Sequence, residues 1–541
     1  MIKKIKQFTI EKVMQDDQNG VWVKAAHLGR TCWISLSLFG ESDEYGYSKL
    51  RSLGVNILSL AAKTDAKNRL QEVVPNGTIL VAQRPGYLFA DKDVTKRPIC
   101  YAYGSGDLIF PQKTKRPEII VGFKPQKSFE SRGDFPTFQK EMSILINGQP
   151  IPVLVLTMSL VPILQPFAPP EMYIENIILE LCGRSSSGKS AVAVGLGGAV
   201  WGGNPRSKTG FFKTWNSTVN ATEESLPRYQ NALIGLDEAT VASGNAKKRG
   251  EDISNFTHRL SLGELKQRMG HAEEPPVSLV AISTSNQSLS SICEESPEVM
   301  EALETRLMTV KIPNSRTNIF NHLPHGFKDF ESARNQFYVI GKAHYGHTAR
   351  NMIAKTLEKY DEDSAKLTSS IRKLMLAFME AAGYDQLDTF AKRTFPPFAL
   401  AYAAGILAKR WGVLDQKLFG NFMKPLLHAW QLSSGEIKVD VRERYLAYLR
   451  EHVKRVAVVK SKKRLELTDD QFNNTKAFII KSRDGKYFAA FPPHFMTSRF
   501  QGFESDFQKM RDADLIVADK SGLQTKHRIR MKDGEVQHDR V

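Results

Sequence analysis

Between residues 177 and 190 the chain reads Ile177-Ile178-Leu179-Glu180-Leu181-Cys182, then Gly183-Arg184-Ser185-Ser186-Ser187-Gly188-Lys189-Ser190. A strand-like apolar run feeds a glycine-bounded loop, and an alanine- and valine-rich segment of helical character follows. The spacing fits G-x-x-x-x-G-K-[ST], a phosphate-binding pattern that functions only between a strand and a helix. Gly183 and Gly188 permit a tight turn in which successive N–H groups converge on phosphate oxygens. The following helix presents its positive end to the same point. Lys189 then reaches the β- and γ-phosphates, and the Ser190 hydroxyl is placed to ligate Mg²⁺. Residues 183–190 are therefore the candidate ATP site.

Two further apolar runs supply candidate partners. Ala232-Leu233-Ile234-Gly235-Leu236 ends in Asp237-Glu238, about fifty residues behind the loop. In phosphate-loop ATPases such a strand lies beside the loop; its first acid binds Mg²⁺ through water and its second polarises the attacking water. Val277 to Ile282 is the next run, ending in Ser283-Thr284-Ser285-Asn286. Asn286 and Thr284 are both candidates to meet the γ-phosphate or the water, against the alternative of a capped strand-end turn. Arg306, ahead of an expected strand Thr309 to Ile312, reads equally as a finger for a neighbouring subunit or as a solvated arginine at a helix end.

The 541 residues carry a net charge of +17. That excess favours a polyanionic partner, nucleic acid before membrane. Cys32, Cys100, Cys182 and Cys293 show no C-x-x-C spacing, so neither a zinc site nor a disulfide framework is indicated, and a cytoplasmic protein with reduced thiols is expected. The apolar run from Ile151 to Phe167 is interrupted by Pro152, Pro162 and Pro166 and is too short to span a bilayer. His344 and His347, three apart with no carboxylate or cysteine close in sequence, read as structural rather than metal ligands.

The fold class expected is α/β, with four regions. Residues 1–150 form a mixed α+β region, with strands at Val21–Val23, Thr31–Leu38, Gly77–Gln83 and Ile119–Phe123 and helical character within Ser48–Leu60. Residues 151–330 form the ATPase core. Within it, Lys266 and Arg268 lie on a basic, glycine-flanked segment suited to gripping a DNA backbone in a pore, or simply to solvation. Residues 331–436 are helical, with three- and four-residue apolar spacing in Lys366–Ala382 and Phe398–Trp411. Residues 437–541 hold 23 Lys or Arg against 15 Asp or Glu. There Val441–Val456 and Phe503–Asp512 look helical. Phe478–Phe491 turns at Asp484-Gly485 as a hairpin, and Leu515–Ala518 with Leu523–Ile529 forms a second. Helix followed by basic hairpin is the closing half of a winged helix, which would place Lys462, Lys463, Arg464, Lys526 and Arg528 against duplex DNA. A cap with a solvated basic face is the alternative.

The phosphate loop, Ala199-Val200-Trp201-Gly202-Gly203, Thr214-Trp215-Asn216-Ser217-Thr218-Val219-Asn220-Ala221, Leu236-Asp237-Glu238 and Ala404-Gly405-Ile406-Leu407-Ala408 together resemble a bacterial domain family long catalogued as of unknown function. The family occurs in plasmids, prophages and staphylococcal chromosome cassettes, and its cassette members resemble the MCM replicative helicases. The resemblance covers roughly residues 20 to 432. It implies an AAA+ ATPase that forms a homo-oligomeric ring, a hexamer in the related helicases, and unwinds or translocates DNA for a mobile element. Lys189, Ser190, Asp237 and Glu238 carry over directly; Asn286, Arg306, Lys266 and Arg268 match the family pattern less closely. A nucleotide-switched origin binder or regulator, or a protein-remodelling ATPase, would share the same core.

Overall fold

The computed structural model describes residues 8–89, 97–112, 116–172, 174, 176–203, 210–215, 225–239, 246–263, 276–290, 306–314, 317–387 and 389–434, with five strands beyond them. The chain divides into two compact units, Met1–Ser434 and Gly435–Val541.

The first unit begins with an antiparallel meander of β1 (Thr9–Gln15), β2 (Val21–His27) and β3 (Arg30–Ser35). Its own core holds Val23, Ala25, Ile34, Phe39, Leu50 and Leu70, the last two from the helices Asp43–Ser52 and Leu60–Gln71. The strand expected over Thr31–Leu38 stops at Ser35. A helix over Leu36–Glu41 replaces its end and carries Phe39, 2% exposed, into this core. Short strands follow: β4 (Leu80–Ala82), β5 (Gly86–Phe89), β6 (Pro98–Ala102), β7 (Leu108–Ile109) and β8 (Ile119–Val121). β4 pairs with β8, and β5, β6 and β7 form a second meander.

That second meander is fastened to the main core by aromatic side chains. Tyr87, Tyr101 and Tyr103 are buried, and their hydroxyls donate to the carbonyls of Ile163 (2.9 Å), Asn231 (3.0 Å) and Trp201. Tyr103 stacks on Trp201 with ring centroids 5.9 Å apart, and Phe129 meets both rings edge-on. Each buried hydroxyl thus has a partner, and each ring pair adds about 0.5–1.5 kcal/mol beyond its burial.

The central sheet is parallel and contains β9 (Ile177–Cys182), β10 (Phe212–Thr214), β11 (Leu233–Asp237), β12 (Val280–Ser285) and β13 (Leu307–Lys311). Their order across the sheet is β10-β11-β12-β9-β13. All six residues of β12 are buried, and so are the first five of β9. Such burial is expected of a parallel sheet covered on both faces, although β12 ends in three hydroxyl residues, Ser283, Thr284 and Ser285. The strand expected at 277–282 lies instead at 280–285. Pairing of Val280 with Ile177 and of Ser285 with Cys182 fixes it there, and Ser283, Thr284 and Ser285 lie inside the ladder.

The run Pro150–Phe167 is long and apolar enough to cross a membrane, yet 89% of it is buried inside the protein. It forms core helices, Pro150–Met158 and Val161–Leu164, and a final turn; the first packs against the helices Pro396–Arg410 and Met423–Ser434. Helices Phe330–Ala343, His347–Glu362 and Ser364–Ala382 complete the helical part.

In the second unit, β14 (Val456–Val459) pairs parallel with β15 (Ala477–Lys481), which pairs antiparallel with β16 (Tyr487–Ala490). The first expected hairpin is thus present as β15 and β16, while the parallel strand β14 was not anticipated. The second hairpin differs. Here β17 (Lys526–Arg530) pairs with β18 (Val536–Arg540), one strand further along, across a connection containing Asp533-Gly534. The helix expected over Val441–Val456 lies outside the described residues except for Val456, which opens the strand β14 instead, and the helix expected over Phe503–Asp512 and the segment 515–518 lie outside them altogether.

Candidate functional site

The C-terminal ends of β9, β11 and β12 meet at the loop 183–188, the edge where parallel α/β sheets place their ligand sites. Gly188 has φ +95°, a left-handed conformation that a side chain would strain, and it opens the helix that begins at Lys189. The helix widens into a π-segment over Ala193–Gly198 and closes at Ala199–Trp201. Such widening is frequent at functional sites. Ser186 also has positive φ, +61°.

Lys189 is only 6% exposed. Its ammonium donates to the carbonyls of Gly183 (2.8 Å) and Arg184 (2.7 Å) and to Asn286 Oδ1 (3.2 Å). Burial lowers its pKa, while Cys182, Asp237 and Glu238 act in the opposite sense. The same burial pushes the Cys182 thiol up to about 11. The loop thus holds a desolvated cation that an arriving anion would stabilise.

Ser190 Oγ donates to Asp237 Oδ1 at 2.8 Å. Thr284 Oγ1 donates to the same oxygen at 2.5 Å and accepts from the Glu238 backbone N–H at 3.0 Å. Thr284 therefore ties the Asp237 carboxylate to the Glu238 backbone. Glu238 has φ +63° and an exposed side chain. A left-handed glutamate persists only where its surroundings enforce it, and such strain clusters at functional sites. Behind the acids, Trp215 donates its backbone N–H to Asp237 O (3.1 Å) and its Nε1–H to Ser283 Oγ (3.0 Å). Ser190 and Asp237 are hard oxygen donors in contact, a pair suited to Mg²⁺, which needs few protein ligands. No group of three or more His, Cys, Asp or Glu able to hold a metal occurs among the described residues. His344 Nδ1 instead accepts from the Asp134 N–H, and His347 Nε2 lies 3.1 Å from Arg132 O.

Sequence spacing did not reveal Arg334. Helix Phe330–Ala343 packs closely on the helix after the loop because both contribute glycine: a Cβ on Gly341 would lie 2.2 Å from Gly195 O. Two turns earlier on the same face, Arg334 crosses Gly188, where a Cβ would lie 2.5 Å from its Cδ. A cavity of about 290 Å³ beside it is lined by Asn318, Leu323, Lys328, Asp329 and Phe330.

The structure therefore brings Lys189, Ser190, Asp237, Glu238 and Asn286 together. Arg306 lies elsewhere: it precedes Leu307, which pairs with Ile178 at the opposite end of β9. It lines a cavity of about 1110 Å³ there, with Met379, Tyr384 and Lys392 from the helical part. Lys266, Arg268, Lys462, Lys463 and Arg464 lie outside the described residues; Lys526 and Arg528 fall on β17.

Residues 22–268 match the family model named Domain of unknown function (DUF927). A solved structure named "SCCmec type IV Cch - active helicase" is similar over 99% of this chain and 93% of its own, with a TM-score of 0.56 and 15% sequence identity. The resemblance read from the sequence, to a domain family of unknown function linked with cassette helicases, is borne out. NtrX from Brucella abortus in complex with ADP shares 14% identity over 52% of this chain and 56% of its own, but its TM-score of 0.17 carries no argument. No curated protein matches the chain. The DUF927 match includes the phosphate loop and Asp237-Glu238, and it ends before β12, Asn286, Arg306 and Arg334.

Proposed function

We propose that this chain is an ATP-dependent DNA helicase or translocase with an AAA+ core. The observation that carries the reading is the convergence of Lys189, Ser190, Asp237 and Asn286 at the C-terminal edge of a parallel sheet ordered β10-β11-β12-β9-β13. In this reading the N–H groups of residues 183–188 and Lys189 hold the ATP phosphates. Ser190 and Asp237 hold Mg²⁺, which neutralises charge on the phosphates when bound. Glu238 orients and polarises water, and Asn286 meets the γ-phosphate. Arg306 reaches the nucleotide of the next subunit in a homo-oligomeric, hexameric ring.

The net charge of +17 and the fold likeness to a structure named an active helicase support DNA as the partner. Lys266 and Arg268 would grip a single strand in the pore. Lys462, Lys463, Arg464, Lys526 and Arg528 would hold duplex from a winged-helix-like region at 437–541. Residues 1–150 form the N-terminal region, 151–330 the motor and 331–436 its helical part. Replication of a mobile element in the cytoplasm is the setting that the family resemblance implies.

The deciding measurement is strand displacement on a forked duplex with ATP, alongside ATPase with and without single-stranded DNA. Displacement together with DNA-stimulated turnover is the expected result. Stimulation without displacement would identify a nucleotide-switched DNA binder instead, and turnover indifferent to DNA would favour a protein-remodelling ATPase.

A further inference from the structure

Glu180 lies within β9, three residues ahead of the phosphate loop, and is fully buried in an otherwise apolar strand. Three donors from two other segments converge on it. Ser285 Oγ (2.6 Å) and the Leu289 N–H (2.8 Å) donate to Oε1, and Thr309 Oγ1 (2.8 Å) donates to Oε2. Burial raises its pKa, and these three hydrogen bonds oppose that rise without cancelling it. An acceptor-only carboxylate suits three donors, and an unpartnered one would be excluded from such a site.

What Glu180 holds is a turn. Ser285 ends β12 and Leu289 stands four residues later, so the carboxylate grips both ends of the segment carrying Asn286. Asn286 has left the ladder and is exposed, yet its Oδ1 lies 3.2 Å from Lys189 Nζ. Thr309, the third donor, sits directly opposite Glu180 on β13, three residues after Arg306.

We infer that Glu180 is a positioning residue for hydrolysis: its carboxylate clamps the 285–289 turn so that Asn286 meets the phosphate held by Lys189, and it ties that turn to the strand led by Arg306. The inference rests on the ATPase reading above. It separates from that reading because ADP binding and hydrolysis are measured independently.

The experiment uses the full chain as wild type, Glu180→Leu, Glu180→Gln, Thr309→Val, Asn286→Ala and the double variant Glu180→Leu/Asn286→Ala. Thermal unfolding, binding of a fluorescent ADP analogue, and kcat and KM for ATP are recorded for each. Loss of one aligned polar contact to the reacting group lowers kcat by about 10²-fold. Glu180→Leu should reach the level of Asn286→Ala with ADP affinity retained, and the double variant should be no slower than either single. Glu180→Gln should recover most of the rate, since its amide oxygen still accepts from Ser285 and Leu289 and the Thr309 hydroxyl can reverse to accept from its NH₂. Thr309→Val should lose only severalfold.

Multiplicative losses in the double variant would overturn the inference, as would a Glu180→Gln chain that folds and binds ADP but shows the full Leu-type loss, or a Thr309→Val chain that folds and binds ADP but shows that full loss or none at all. Should Glu180→Leu fail to fold, those two milder variants still decide the matter. A wild-type chain that binds the ADP analogue but never hydrolyses ATP would overturn the ATPase reading and the inference with it.

Discussion

Two asparagines stand at opposite ends of the same parallel sheet. Asn176 precedes β9 at the N-terminal edge and is buried; its amide donates to Leu260 O (2.8 Å) and Val277 O (2.9 Å), and its oxygen accepts from the Leu279 N–H (2.9 Å). Asn286 follows β12 at the C-terminal edge, is exposed, and meets Lys189. The first pairs backbone groups of two other segments, 260 and 277–279, at the base of the sheet; the second points at a desolvated cation. The same contrast separates Arg306 from the loop. Counting residues from Arg306 to the level of Gly183 at about 3.3 Å each gives roughly 20 Å, beyond the reach of an arginine side chain. In the proposed reading one edge of the sheet holds the fold together and the other receives the nucleotide, and Arg306 could serve a nucleotide only in another copy of the chain.

The largest effect should come from the C-terminal edge. Lys189→Ala removes the buried ammonium, so binding of a fluorescent ATP analogue and turnover should both fall to background. Retained binding would show that the loop N–H groups suffice without it. Next comes Glu238→Gln, which keeps the Ser190–Asp237 contact and the Thr284 hydrogen bond to the Glu238 backbone. Nucleotide affinity should survive while hydrolysis drops by about 10²–10⁴-fold. A parental rate in this variant would mean that another group polarises the water.

Arg306→Ala sharpens the comparison further, because the changed residue lies at the other edge. In the ring reading, nucleotide binding stays intact and hydrolysis slows by about 10³-fold or more. Mixing this variant with Lys189→Ala should restore part of the activity, since mixed rings contain interfaces with an intact loop facing an intact Arg306. No recovery, under conditions where the subunits demonstrably mix, would place the arginine's role within its own subunit's fold.

How much of this arrangement is legible in the sequence depends on how local each interaction is. The loop announces itself because eight consecutive residues carry the chemistry, and Asp237-Glu238 because an apolar run ends in two acids. The parallel α/β architecture follows from the same runs. Glu180 gave no such signal: its partners lie 105, 109 and 129 residues away, so in sequence it only interrupts an apolar strand. Arg334 escaped for the same reason, its placement depending on the close approach of Gly195 and Gly341. The misplaced boundary of β12 is instructive. Hydropathy ends the strand before Ser283, but the ladder runs to Ser285 because each hydroxyl finds a hydrogen-bond partner in Trp215, Asp237 or Glu180. In the tail, Asp484-Gly485 located the first hairpin, whereas the second pairs residues 526–530 with 536–540 rather than 515–518 with 523–529.

The smallest effect on turnover should come from Asn176→Ala, and it tests the comparison most directly. The substitution takes the Asn176 partner from Val277 O and the Leu279 N–H, while Leu260 O keeps the Gly263 N–H at 3.1 Å. A buried polar group deprived of its partner costs about 1–3 kcal/mol, and water entering at the sheet's end would offset part of that for these two groups. A lowered midpoint in urea or thermal unfolding is therefore expected. Per folded molecule, kcat and KM should stay within about twofold of the parent, because β9 still delivers Lys189 to the opposite edge through its ladder with β12 and β13. Asn286→Ala should show the mirror image, an unfolding midpoint close to the parent and a kcat lower by about 10²-fold. If instead Asn176→Ala slows hydrolysis as much as Asn286→Ala while unfolding like the parent, the two edges are not separate in function, and changes at the base of β9 reach the phosphate loop directly.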